Sequence, residues 1–166
     1  METLLSGGST RATAGPRAAL LSQRMVLWMV TEEPHWPPEI DIWEYFGHYW
    51  NGDDKMYMRY IYPKTETEAW LKGNHDDESV PINRFDETYD CEAVHTYGFQ
   101  WTATAMVWSI DGEIVHTLER SRIPDYWPDE AFSLVMNNGV QTDAADGETA
   151  WPNYLIIDYI AVYEAP

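Results

Sequence analysis

Basic residues are scarce in this chain. Ten Lys and Arg stand against 28 Asp and Glu, a formal net charge of −18 over 166 residues. Only three of the ten are lysines, Lys55, Lys64 and Lys72. Such a charge repels phosphate backbones and excludes nucleic acid as a partner. For the same reason it favours a neutral polymer over a sulfated one. A lysine-poor acidic surface is also compatible with a salty medium, where screening relieves self-repulsion. Cysteine is almost absent: Cys91 stands alone, which excludes an intrachain disulfide and leaves a small buried side chain as its expected role. No apolar run approaches the ~18–20 residues of a helical membrane span. Helical periodicity nowhere extends past about two turns.

What the chain has instead is aromatic surface, with nine Trp and eleven Tyr in a sequence that is 45% hydrophobic. That is enough apolar material for one domain with a sizeable core. Most of the aromatics are expected in that core, with two to four left to face sugar rings. Residues 25–30 are uniformly apolar and read as a buried strand. From Met56 to Tyr62 the pattern alternates, with Met56, Met58, Tyr60 and Tyr62 on one face. In 94–101, His95, Tyr97, Phe99 and Trp101 share a face in the same way. Ala105–Ile110 and Glu113–Leu118 flank Asp111-Gly112, the signature of a two-residue hairpin with a type I′ turn. Residues 131–137 and 154–163 are two further strands.

Between these lie breaks. Residues 63–91 are acidic and interrupted by Pro63, Gly73 and Pro81, which predicts a loop with one short strand. Gly139 to Pro152 reads as a polar loop. The first 24 residues carry three Arg and one Glu, a net +2 that leaves −20 for the remainder. That shift predicts a disordered or atypical N-terminal segment over 1–24, with a short helix at 18–25, ahead of a single domain over 25–166. The segment lacks the continuous apolar stretch of a signal peptide.

The most informative stretch is Pro38-Glu39-Ile40-Asp41-Ile42-Trp43-Glu44-Tyr45. Acids are depleted in strands, and neighbouring like charges on one face repel. Alternation puts Glu39 and Asp41 on one face and the isoleucines on the other, which leaves Glu44 facing the core. An unpaired buried carboxylate is costly. One extra residue, a β-bulge between Asp41 and Glu44, returns Glu44 to the acidic face. Glu39 and Glu44 then stand four strand steps apart, roughly 13 Å between Cα atoms at ~3.3 Å per residue. Leaning inward, their carboxyls can approach to about 5–5.5 Å, the separation of retaining glycosidases. Asp41 between them can hold a proton and keep their charge states apart.

Glu-Ile-Asp-Ile-x-Glu in its bulged form resembles the active-site motif of glycoside hydrolase family 16. Three further segments resemble that family in the right order: His95-Thr96-Tyr97 with Val107-Trp108-Ser109-Ile110-Asp111-Gly112, the strand Phe132–Asn138, and the final strand Tyr154–Tyr163. The resemblance implies an all-β fold, an antiparallel β-sandwich of jelly-roll type with a concave substrate cleft. It implies endo-hydrolysis of a β-linked polysaccharide with retention, of which a β-1,3- or mixed β-1,3/1,4-glucan is preferred here. By position Glu39 is the nucleophile, Asp41 the assisting acid and Glu44 the acid/base. Secretion to the extracellular space is also implied. Family members carry several strands ahead of the acidic one, whereas 38 residues precede it here. A sandwich lacking some N-terminal strands is therefore expected, with exposed sheet edges through which a homo-oligomer could form.

Four other residues are candidate substrate contacts. Trp36, three residues before Glu39, forms either a wall beside the cleaved bond or packing under the bulge. His95 reaches either Asp41 or a sugar hydroxyl, or else bonds the backbone as a strand-face His. Trp101 lines an acceptor subsite or belongs to the core. Asn137 at a strand end offers both donor and acceptor to sugar hydroxyls, or is an edge residue. No cofactor is expected. His spacing does not suit zinc, and Asp158 alone matches a family position that helps bind calcium. The alternative reading is a non-catalytic glycan-binding sandwich.

Overall fold

The computed structural model describes residues 3–11, 23–32, 35–45, 55–63, 75–83, 85–86, 89–90, 94–140 and 155–164. Its strands are β1 (Thr3–Arg11), β2 (Gln23–Thr31), β3 (Glu39–Tyr45), β4 (Lys55–Pro63), β5 (His75–Asn83), β6 (Phe85–Asp86), β7 (Tyr89–Asp90), β8 (His95–Trp101), β9 (Ala105–Ile110), β10 (Glu113–Glu119), β11 (Phe132–Val140), β12 (Ile156–Ile157) and β13 (Val162–Glu164). Two short 3-10 helices, Arg120–Arg122 and Pro124–Tyr126, link β10 to β11.

The strands form two main antiparallel sheets and a small β6-β7 pair. One sheet runs β11-β2-β3-β4-β5; the other runs β10-β9-β8-β1-β12, with β13 also on β1. Alternation explains the core between them. Met56, Met58 and Tyr60 on β4, Tyr97 and Phe99 on β8, and Met106 and Trp108 on β9 are all buried together. Trp43 of β3 stacks on Tyr97 of β8 across the layers, with ring centroids 5.3 Å apart. Each such ring removes a large apolar area from water, at ~25 cal/mol per Å². Tyr60 donates its hydroxyl to the Tyr126 carbonyl at 2.7 Å, which fastens the short helical segment to this sheet. The hairpin expected at Asp111-Gly112 joins β9 to β10, and both residues have positive φ, 53° and 86°, as a type I′ turn requires.

The structure differs from the sequence reading in several places. Thr3–Arg11, expected to be disordered or atypical, pairs as β1 between β8 and the two C-terminal strands. The small and hydroxyl residues that suggested disorder are here strand residues, held by backbone hydrogen bonds that composition does not report. β2 begins at Gln23, so residues 23–25 are extended and not helical. β5 is nine residues long where one short strand within a loop was expected. It lies at the sheet edge, where proline and acidic residues are tolerated because one side of the strand needs no partner. The single strand foreseen at 154–163 is two short ones, β12 and β13, separated by 158–161. Cys91 and most of the Gly139–Pro152 loop lie outside the described residues.

Candidate active site

The bulge in β3 is present and does what the spacing requires. On the β2 side, Trp28 pairs with Asp41 and Leu27 with Trp43, so Ile42 is the extra residue. On the β4 side, Glu39, Asp41 and Glu44 stand opposite Ile61, Arg59 and Tyr57. Positions 57, 59 and 61 alternate on β4, so all three acids share one face. That face is turned away from the core: Ile40, Trp43 and Tyr45 belong to the core cluster, whereas Val26 beside Glu44 does not. The indole of Trp108, from the other sheet, donates Nε1–H to the Asp41 carbonyl at 2.9 Å. The core thus holds the backbone at the bulge.

Glu39 has a neighbour of its own, whereas Asp41 and Glu44 share one. Glu39 accepts a 2.6 Å hydrogen bond from Trp36 Nε1. Asp41 Oδ2 accepts from Arg59 Nε at 2.6 Å, and a terminal nitrogen of the same guanidinium donates to Glu44 Oε2. Asp41 and Glu44 are 0% and 1% exposed, and Glu39 is half-buried. Burial, and then the Glu39 charge, push the Asp41 carboxyl up to about 7 against the pull of Arg59. Burial also raises Glu39, with the Glu44 charge adding to it and the Trp36 N–H opposing it. Asp41 Oδ1 is buried without a hydrogen-bond partner. A proton on that atom turns it into a donor, and the Glu39 carboxylate on the same face is an acceptor for it.

A stability prediction follows from this. The folded pKa of Asp41 lies above its unfolded value of 3.8, so its contribution is fully present below 3.8 and is lost as pH rises from there through about 7. Asp41→Asn should therefore unfold in urea at a midpoint that varies less between pH 4 and 8 than the wild type's. Parallel curves for the two proteins would contradict the protonated assignment.

The other candidates divide. Trp36 touches Glu39, as above. Asn137 is exposed on β11 and accepts from Trp28 Nε1 at 2.8 Å. Register places Asn137 beside Val26 and Val135 beside Trp28, on the acidic face. His95 does not reach Asp41. It lies on the other sheet, and its Nδ1 bonds Asp111 Oδ2 at 2.7 Å while the Thr96 N–H donates to Asp111 Oδ1 at 2.8 Å. Slight burial opposes it, but these two bonds hold the Asp111 carboxyl below its usual range. The His is thus part of the hairpin turn. Trp101 packs edge-on against Phe132 at 5.4 Å and lines a cavity of about 880 Å³ with Met29, Trp127 and Leu134. Its place is at the end of the core, away from the acids, because β8 lies in the opposite layer.

Two residues on the acidic face escaped the sequence reading, Arg59 and Trp28. The signal for Arg59 was a cation at the centre of a strand whose other charge, Lys55, stands at its start, in a strongly acidic chain. Trp28 was hidden because 25–30 is apolar on both faces. Asp158 is exposed, and among the described residues no group of three or more His, Cys, Asp or Glu could hold a metal ion.

Comparison with known proteins gives a consistent picture. The model of the family described as glycosyl hydrolases family 16 matches residues 24–160. The Crh-like protein 5 of Aspergillus fumigatus is 35% identical over 80 residues, 48% of this chain and 17% of that protein. The endo-1,3-1,4-beta-glycanase ExsH of Rhizobium meliloti is 26% identical over 138 residues, 82% of this chain and 26% of its own length. This chain thus spans about a quarter or less of either curated relative. Among solved structures, the laminarinase catalytic domain of Thermotoga maritima, in complex with cetyltrimethylammonium bromide, aligns with a TM-score of 0.71. That alignment covers 99% of this chain and 64% of the laminarinase at 22% identity, which speaks for the fold.

Proposed function

The chain belongs to family 16 of the glycosyl hydrolases, and from that premise we propose that it is a retaining endo-glycosidase acting on a β-1,3- or mixed β-1,3/1,4-glucan. The observation that carries this reading is the bulge, which sets Glu44 on the face of Glu39 and Asp41. Glu39 attacks the anomeric carbon and forms a glycosyl ester, while Glu44 gives its proton to the departing glycosidic oxygen. Water then enters. Glu44, now ionised, takes a proton from it, the new C–O bond forms at the anomeric carbon, and the Glu39 ester breaks.

Asp41 supports the nucleophile. Protonated, it donates to Glu39 and steadies that carboxylate, and it holds the like charges apart. Trp36 Nε1–H, already on Glu39, does the same from the other side. Trp28 offers an indole face beside Asp41, braced by Asn137, on which a sugar ring can pack. The net charge of −18 suits an uncharged glucan. Work on a polymer places the protein outside the cell. The relatives named as a glycanase and a laminarinase agree with a glucan.

Incubation with laminarin, lichenan and agarose should release new reducing ends from one or both of the glucans. One observation favours a second reading, binding without cleavage: Glu44 is 1% exposed and engaged by Arg59. Retention on immobilised glucan with no reducing ends released would support that reading against hydrolysis.

A further inference from the structure

We propose that Arg59 is a positioning residue that holds Glu44 as a carboxylate between turnovers and thereby sets the pH window in which the site works. This rests on the reading of Glu44 as the acid/base.

The geometry is that of one planar fork shared by two acids. Arg59 stands opposite Asp41 in the β3–β4 register, and its Nε and a terminal nitrogen serve Asp41 and Glu44 respectively. The guanidinium is 21% exposed and the two carboxylates essentially not at all. A rigid guanidinium can reach both in fixed directions, which an ammonium cannot. Among the described residues, the following stand on or beside the Glu44 face in the register. β3 itself supplies Glu39 and Asp41, and β4 supplies Arg59 and Tyr57. β2 supplies Val26 and Trp28, and β11 brings Val135 and Asn137 beside them. β5 places Asp77 and Ser79 at the register positions of Ile61 and Arg59. Among these described residues Arg59 is the cation.

The chemical consequence is asymmetric. Glu44 must carry a proton in the first half of the reaction and must lack one in the second. A guanidinium in contact favours the ionised form. Arg59 therefore supports activation of water and opposes protonation of the leaving oxygen. The wild type should work on the acid side, where Glu44 still gains its proton. The steps themselves are unaltered, so the device adds no reactant.

The test has two independent parts. In the first, kcat/KM on the preferred glucan is followed against pH for the wild type, Arg59→Gln and Arg59→Lys. Without the guanidinium the basic limb should move up by about 1–3 pH units, the range for an opposite charge in contact with a carboxylate. Arg59→Lys should show only part of that shift, since it keeps the charge but not the fork. A folded Arg59→Gln with an unmoved limb would overturn the proposal. The second part needs no activity. The Glu44 side-chain carboxyl carbon, assigned by its loss in Glu44→Gln, is titrated by NMR in Asp41→Asn and in Asp41→Asn with Arg59→Gln. The double variant leaves one buried acid fewer without a partner and so guards against misfolding. Its Glu44 midpoint should lie at least about one pH unit higher; equal midpoints would overturn the proposal. A chain that cleaves no glucan would end the hydrolase reading while this titration still decides the role of Arg59.

Discussion

Glu39→Gln is expected to lower the rate of glucan cleavage at least about 1,000-fold while leaving the polymer bound. The amide is nearly isosteric with the carboxylate and can still accept from Trp36 Nε1, so the local packing survives. What it lacks is a nucleophilic oxygen, so the glycosyl ester cannot form. Loss of the Glu39 charge also removes the second-largest influence that raises Asp41, behind burial. The variant should therefore be no less stable than the wild type at neutral pH. Reducing-end release, affinity electrophoresis in glucan gels and urea unfolding give the three readouts. Undiminished cleavage would remove Glu39 from the mechanism.

Glu44→Gln should behave differently according to the substrate. On the polymer the leaving group is a sugar alkoxide that needs a proton, and the loss should be about 100–10,000-fold. On an aryl glucoside oligomer whose phenol departs unaided, the first step should be spared. Release of the phenol should then show a burst followed by a slow phase, because water lacks its base in the second step. Equal losses on both substrates would mean that Glu44 only supports the fold. That contrast matters because Glu44 is buried and paired with Arg59, and truncating one partner of a buried pair is destabilising in its own right. The glutamine keeps a carbonyl for Arg59 and limits that effect.

The acidic motif and the architecture were legible for a shared reason. The period of two in a strand converts sequence spacing directly into facing. Glu39, Asp41 and Glu44 break that period once, and the cost of burying an unpaired carboxylate forces the bulge that Ile42 supplies. Asp111-Gly112 was legible because few residue pairs adopt two successive positive φ values. The partners that cross between strands were not legible. Arg59 lies 18 positions after Asp41, and its role depends on the β3–β4 register, which alternation within one strand does not fix. His95 was assigned by motif order, yet its layer is set by β8 pairing with β1 and β9. The Asp111 carboxyl lies within reach in that layer and takes the imidazole. β5 was read as one short strand within a loop because edge strands carry the composition of loops.

Everything in the mechanism depends on Glu39 and Glu44 acting from one face on opposite sides of the scissile bond. The most direct test is proton NMR of the anomer first released from the glucan that the chain cleaves, read before mutarotation. Double displacement predicts the β-anomer at early times, with the α-anomer growing in later. Initial appearance of the α-anomer would mean a single inverting displacement and would contradict the roles given to Glu39 and Glu44.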